Sequence, residues 1–444
     1  MKITPLEEWI SRTIGNRDAK LTREKIEHYQ LSKLRETIRL ARTQSPFYRE
    51  RLAGLTEDRI SRIRDLAHFP FTTAEDLRSE PLSFLCVSQG EISRVVTLHT
   101  SGTTGNPKRI YFTGEDQERT IDFFHHGMST LVSPGDSVLI LLPGERPGSV
   151  GDLLQLALAR LGVRGIPHGP VSDVFSTLNV IAGERITALV GIPTQVFALA
   201  RCSDGGWTPR AVLLSTDHIP HAISREIHRI WGSEVFGHYG MTEMGFGGGV
   251  ECEARYGYHM READLLFEIV HPDTGKPLPD GEAGEVIFTT LTRHGMPLIR
   301  YRTGDLSRFK LEPCPCGTVL KTMERVRERI SGAVRIADEG SFSMADLDEV
   351  LFSIPNVLGF TVTLSRENAS DHLHIALKLK HIHDPPDAIQ ALAGKALDTI
   401  PAIKSAQEKG RLDVLITSSH SCDVHMTNAA KRTIFDRRKT EKTH

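Results

Sequence analysis

Between Arg94 and Gly240, short apolar runs of strand type alternate with stretches of helical periodicity. This alternation limits the fold more than any other feature. The runs are "RVVTLHT", "RIYFT", "SVLILLP", "TALVGIP", "AVLLST" and "EVFGHYG". Helical text separates several of them, as in "VGDLLQLALARLG" (150–162) and "AISREIHRIWG" (222–232). Strands interleaved with helices predict an α/β layered domain with a largely parallel core. Upstream, "REKIEHYQLSKLRETIRLARTQ" (23–44) sets apolar residues at helical spacing among charges. Downstream, "LLFEIVHPDTGKPLPDGEAGEVIFTTL" reads as a β-hairpin unit with Asp-Gly turn chemistry.

A last texture begins near Glu324. "RVRERISGAVRI", the amphipathic "SMADLDEVLFSI", the strand-like "GFTVTLS" and "HIALKLKHI", and the helical "PDAIQALAGKALDTI" follow in order. The chain of 444 residues exceeds one ordinary core. We therefore expect a large multi-layer α/β N-terminal domain over 1–323, with a helical start and a β-rich end. A small α+β domain should follow over 324–444. Net charge is −2, from 54 Lys and Arg against 56 Asp and Glu, which argues against nucleic acid as a partner. No apolar run reaches the length of a membrane span, and the opening "MKITPLEEWI" is unlike a signal peptide. A cytoplasmic location is the expectation.

"TSGTTGNPK" at Thr100–Lys108 has the composition of an anion cradle. Glycines turn backbone N–H groups inward, hydroxyls add donors, and lysine adds charge. The G-x-x-x-x-G-K-[ST] phosphate loop is absent: Gly102 and Gly105 are too close, and no Ser or Thr follows Lys108. A Gly/Thr-rich hairpin turn between two strands is the plain alternative.

Two further motifs stand in order behind it, "HYGMTE" (238–243) and "YRTGDL" (301–306). The ordered set resembles the adenylate-forming superfamily of acyl-CoA synthetases, adenylation domains and luciferases. The flanking "LRETIRLARTQSPFYRERL", "FPFTTAEDL" and the block from "ECEARYGYHM" to "YRTGDL" are similar to the phenylacetate–CoA ligase family. The resemblance runs from about Leu31 to about Phe360. It implies an AMP-forming acid:CoA ligase. ATP and a carboxylate give an acyl-adenylate and pyrophosphate, the small domain rotates, and coenzyme A displaces AMP.

By that resemblance Thr100, Ser101, Gly102, Thr103, Thr104, Gly105 and Lys108 grip the leaving pyrophosphate, where donors and a cation stabilise developing charge. Tyr239, beside Gly240, stacks on adenine. Thr242 touches the AMP phosphate. Glu243 holds Mg2+, as a carboxylate suits a hard cation. Asp305 takes both ribose hydroxyls, with Arg302 in support. Arg325 precedes the interdomain hinge, although "ERVRERISG" departs from the family's hinge text there.

Cys252 and His259 form Cys-x6-His, and Cys314 and Cys316 form Cys-x-Cys before Gly317. Three thiolates and an imidazole suit a closed structural Zn2+ site. Cys86, Cys202 and Cys422 have no partner pattern and read as structural thiols. The pairs His125–His126 and His381–His383 sit in text that suggests no ligand role.

Two departures bear on function. The family's catalytic lysine position falls on Ala430, so Lys431, one residue off, takes that role in our reading. "LLPGERPGSVGDLL" (141–154) places Glu145 and Arg146 where aromatic-acid enzymes carry Gly/Phe-rich text. A small polar acid is then as suitable as an aryl acid. Two alternatives remain open at this stage: transfer to an acceptor other than coenzyme A, or a nucleotide-binding protein with impaired adenylation. A homodimer is compatible with the sequence.

Overall fold

The computed structural model describes residues 1–16, 20–98, 106–336, 338–367, 370–380, 385–420 and 432–439. Two compact units emerge. One comprises 1–135, 144–165 and 236–326; the other comprises 136–143, 166–235 and 327–444. The cut after Val326 falls just beyond the 323/324 boundary read from the sequence, and segments 136–143 and 166–235 group with the C-terminal residues.

In the second unit, strands Ser137–Ile140, Ala188–Gly191 and Ala211–Leu214 pair in parallel, with Leu139 opposite Leu189 and Leu189 opposite Val212. Their unbroken apolar text suits a parallel sheet buried on both faces. Helices Val174–Gly183, Pro193–Cys202 and His221–Trp231 lie between and after them. The last ends at Gly232, whose φ of 69° is the left-handed stop that glycine adopts freely. The α/β expectation holds.

The C-terminal part of this unit orders its strands as Leu412–His420, Ser370–Leu379, Val357–Glu367 and Phe435–Asp436. The central pair is antiparallel and both outer strands join in parallel. The 412–420 strand and the helix Pro401–Glu408 were not anticipated. Arg201 is nearly buried here. Its guanidinium donates to the carbonyls of Ile354 (2.8 Å) and Phe352 (3.0 Å), beyond the helix Met344–Leu351. These donors satisfy carbonyls just beyond the helix end, where intrahelical partners run out.

In the first unit, the helix Arg23–Gln44 is capped by Thr22, whose side chain accepts from the Lys25 amide. It buries Leu34, Ile38 and Ala41 in a core with Phe84, Phe112, Met260, Phe288 and Tyr301. Strands Ile92–Leu98 and Lys108–Thr113 form an antiparallel pair with Leu98 opposite Lys108. Strands Leu265–Val270, Gly284–Thr290 and Tyr301–Ser307 form an antiparallel meander, as the Asp-Gly turn text suggested. A second antiparallel set pairs the end of Glu234–Tyr239 with Gly249–Glu251, then Tyr258–Met260, then Thr322–Met323. No described helix is long and apolar enough to cross a membrane.

Candidate active site and metal centre

The strand Glu234–Tyr239 runs into a turn that folds back on itself. The Gly248 amide donates to the Tyr239 carbonyl at 2.9 Å, and Phe246 and Gly245 both take positive φ. A Cβ on Gly240 would lie 2.3 Å from the Phe246 carbonyl oxygen, so this closure requires glycine at 240. Gly240 thus has a packing reason in addition to any nucleotide role. Thr242 opens a single 3-10 turn, Thr242–Met244, and its side chain is half-buried.

That turn sinks Glu243 to 2% exposure. Its carboxylate is ion-paired with the Lys108 ammonium and accepts from the Tyr301 hydroxyl at 2.9 Å. The Lys108 Nζ also lies 3.3 Å from that hydroxyl. Burial opposes ionisation of Glu243, but the Lys108 charge and the hydroxyl outweigh it and hold the carboxyl below its usual range. Behind the turn, Arg293 donates to the Glu243 carbonyl at 2.7 Å and Thr120 to the Gly245 carbonyl at 3.0 Å.

Tyr239 donates its hydroxyl to Asp305 at 3.0 Å. Its ring stacks on Tyr258, centroids 5.9 Å apart at 26°. The strand Tyr301–Ser307 alternates buried and half-buried positions, so Tyr301, Thr303 and Asp305 share one face. Arg302 points the other way. It pairs with Glu285, whose Oε2 is 2.8 Å from its Nε, and donates to the Pro272 carbonyl. This placement separates Arg302 from Asp305, against the expectation that it supports the same site.

The structure therefore brings together Lys108, Glu243 and Tyr301, and beside Tyr239 it sets Asp305. Thr100, Ser101, Gly102, Thr103, Thr104 and Gly105 lie outside the described residues, as does Lys431. Glu145 and Arg146 are exposed. Tyr301 was missed as a site residue. Its place in "YRTGDL", two and four residues before Thr303 and Asp305, was the available signal.

Arg325 makes a fork contact with Glu251, Nε to Oε1 at 2.8 Å and a second nitrogen to Oε2 at 2.5 Å. Directly after Glu251, Cys252 joins His259, Cys314 and Cys316 in one buried cluster, all ligand atoms within 4.8 Å of one another. Cys252 Sγ is 3.6 Å from Cys314 Sγ, and His259 Nε2 is 3.3 Å from Cys252 Sγ and 3.5 Å from Cys316 Sγ. Tetrahedral zinc with Zn–S bonds of about 2.3 Å separates its sulfurs by roughly 3.8 Å, so the four residues fit such an ion. The Gly317 amide closes the Cys-x-Cys turn on the Cys314 carbonyl at 2.9 Å, with φ 84°. The other ring nitrogen of His259 lies 3.4 Å from Thr322 Oγ1, an outer contact that orients the imidazole.

A family model for AMP-binding enzymes matches residues 67–291, more than half of the chain. A phenylacetate–coenzyme A ligase of Thermus thermophilus is 29% identical over 373 residues, spanning 81% of this chain and 82% of its own. One from Pseudomonas putida is 31% identical over 298 residues, spanning 64% of this chain and 66% of its own. Among solved structures, a 2-hydroxyisobutyryl-CoA ligase in the postadenylation state, in complex with R3-HIB-AMP, matches with a TM-score of 0.79 at 20% identity. It covers 95% of this chain and 92% of its own, a likeness of fold. The length of the family match makes this chain a member of the AMP-binding enzymes, and phenylacetate–CoA ligases recur among its relatives at 28 to 31% identity.

Proposed function

We propose that the protein is an AMP-forming acyl-CoA ligase, which activates a carboxylic acid with ATP and passes the acyl group to coenzyme A. The observation that carries this reading is the buried Lys108–Glu243–Tyr301 contact beside the Tyr239–Asp305 pair. A carboxylate this buried, balanced by a single ammonium, suits a site where a hard cation and phosphates replace that ammonium. Mg2+ at Glu243 would neutralise charge on the ATP phosphates. Lys108, freed from Glu243, then faces the leaving pyrophosphate together with the 100–105 hydroxyls and amides. Tyr301 keeps Glu243 ionised and oriented in either state. Asp305 accepts from the ribose hydroxyls, Tyr239 stacks on adenine, and Thr242 meets the α-phosphate.

Further parts of the reading follow the resemblance. The small domain from 324 pivots after Arg325, and Lys431 approaches the acyl phosphate during adenylation. The Cys252–His259–Cys314–Cys316 set holds one structural zinc. Such a thiolate site, with Cys86 and Cys202 also free, suits a reducing cytoplasm. The acid is aryl or small and polar, and a homodimer is compatible with the sequence.

Carboxylate-dependent ATP–pyrophosphate exchange over aryl, aliphatic and polar acids tests the first step. Exchange with one acid, followed by thioester formation with coenzyme A, is the expected result. Exchange without thioester points to another acceptor, and no exchange while ATP still binds rejects the ligase. Metal analysis of protein purified without chelators should return about one zinc per chain, and a metal-free, fully folded protein would remove the zinc assignment.

A further inference from the structure

Glu251 has no part in the reading above, yet it is a buried carboxylate with three hydrogen bonds, next in the chain to Cys252. Its side chain is 0% exposed. One oxygen pair holds the fork of Arg325, and Oε2 also accepts from the Gly237 amide at 2.7 Å. Gly237 lies on the strand that ends at Tyr239, the proposed adenine platform. Arg325 stands one residue before Val326, where the first unit ends.

The cluster binds the strands that carry these groups. Cys252 follows Glu251 in the chain. His259 lies on the next strand, with Val250 opposite it on one side and Thr322 on the other. Tyr258, its neighbour, pairs with Glu251 and Met323 and stacks on Tyr239. Cys314 and Cys316 precede the two-residue strand Thr322–Met323, from which the chain reaches Arg325. This short strand is held on one edge by Tyr258 and His259 and on the other by residues 308–310, where the Lys310 amide donates to the Thr322 carbonyl at 2.8 Å and the Glu324 amide to the Arg308 carbonyl at 3.0 Å. Next along the chain, one residue before the first unit ends, comes the Arg325–Glu251 fork. Arginine suits this task because a planar fork on a carboxylate fixes direction as well as distance.

We propose that Glu251 is a positioning residue for the second half-reaction: it clamps Arg325, and so the origin of the pivot, to the strand pair that the Cys3His cluster holds rigid. The assignment rests on the acyl-CoA ligase reading, in which the chain beyond Arg325 must rotate between adenylation and thioester formation. A clamped origin makes that rotation a turn about a fixed point. A loose one lets residues 322–326 follow the rotation and blurs its end state. Adenylation residues Lys108, Glu243, Tyr301 and Asp305 make none of these contacts, so the two half-reactions should respond differently.

Glu251→Gln tests this, because glutamine keeps the shape and still accepts from the Gly237 amide but loses the charge that Arg325 needs. Amide hydrogen exchange over 320–327 is read first, with zinc content measured on the same samples. The expected result is at least about tenfold faster exchange in that peptide with zinc retained, and a similar gain in wild-type protein stripped by a chelator. Unchanged exchange in the variant overturns the clamp. In kinetics, the rate of thioester formation should fall about tenfold relative to pyrophosphate exchange, equivalent to the loss of one charge-assisted contact. Equal losses in both steps overturn the positioning role. If Glu251→Gln does not fold, Arg325→Lys, which keeps the charge and loses the fork, gives the same two readouts. A wild-type chain that adenylates no acid rejects the ligase reading and the kinetic half of the assignment, whereas hydrogen exchange still decides the clamp.

Discussion

Glu243 in the first unit and Asp348 in the second are built from the same parts, with opposite outcomes. Each is a buried carboxylate paired with one cation and close to aromatic rings. Glu243 has Lys108 and the Tyr301 hydroxyl, and its carboxyl is held below the usual range. Asp348 has Arg432, whose guanidinium lies over Phe352 and Phe360 at 4.7 and 4.3 Å from their centroids. Yet burial, with Asp217 and Glu349 nearby, raises Asp348 from 3.8 to about 7. Burial opposes ionisation of both acids: at Glu243 the Lys108 charge and the Tyr301 hydroxyl outweigh it, whereas at Asp348 burial, reinforced by Asp217 and Glu349, outweighs Arg432. Glu243 is held charged, as the proposed metal-holding role requires. The other sits at the edge of neutrality and couples folding to pH.

The largest effect expected from this contrast is on catalysis. Glu243→Gln should cut pyrophosphate exchange by about 10²- to 10³-fold, the scale of losing one preorganised electrostatic group. Near-normal exchange would place the metal-holding carboxylate elsewhere. Tyr301→Phe removes a donor to a buried charge, which costs about 1.5–3 kcal/mol. Its exchange rate and urea midpoint should both fall, and an unchanged midpoint would show that Lys108 alone keeps Glu243 ionised.

Asp348 offers the pH test. Between roughly pH 4 and pH 7 the folded chain keeps a proton that the unfolded chain has released, so stability falls as pH rises through that window. Glu243 acts in the reverse sense: its contribution is present above the ordinary glutamate range and is lost as pH falls through the lowered folded value. Asp348→Asn should flatten the neutral slope by on the order of 1–2 kcal/mol between pH 5 and pH 7.5 in urea titrations. A slope identical to wild type would mean that Asp348 is ionised throughout. The smallest effect is a control. Ser343 caps the helix Met344–Leu351 that carries Asp348, its Oγ 3.3 Å from the Asp346 amide. Ser343→Ala should cost about 1 kcal/mol at every pH, and a pH-dependent loss would show that the cap and the acid are coupled.

Much of this was legible in the sequence where physics acts locally. The parallel strands 137–140, 188–191 and 211–214 announce themselves as apolar runs, and the 265–290 pairing follows from its Asp-Gly text. The 412–420 strand escaped because its apolar run, Val414–Ile416, is only three residues long and continues into the polar "TSSH". In the candidate site, Lys108, Glu243 and Asp305 were named through ordered motifs. Arg302 was assigned through the same motif as Asp305, whereas the two-residue period of a strand turns residues three apart to opposite faces. Glu251 left no local trace, since its partner Arg325 is 74 residues away. Cys252, His259, Cys314 and Cys316 were readable as residue types suited to a metal, but only folding could bring Cys314 to within 3.6 Å of Cys252.

The turn at Gly240 has a practical consequence for anyone reshaping this protein. With the Phe246 carbonyl 2.3 Å from where a side chain would begin, randomising position 240 fills a library with chains that cannot close the loop over Glu243. Thr242, which we propose meets the α-phosphate, is best left unchanged with it. In a selection for altered acids or nucleotides, glycine at 240 should return in nearly every survivor.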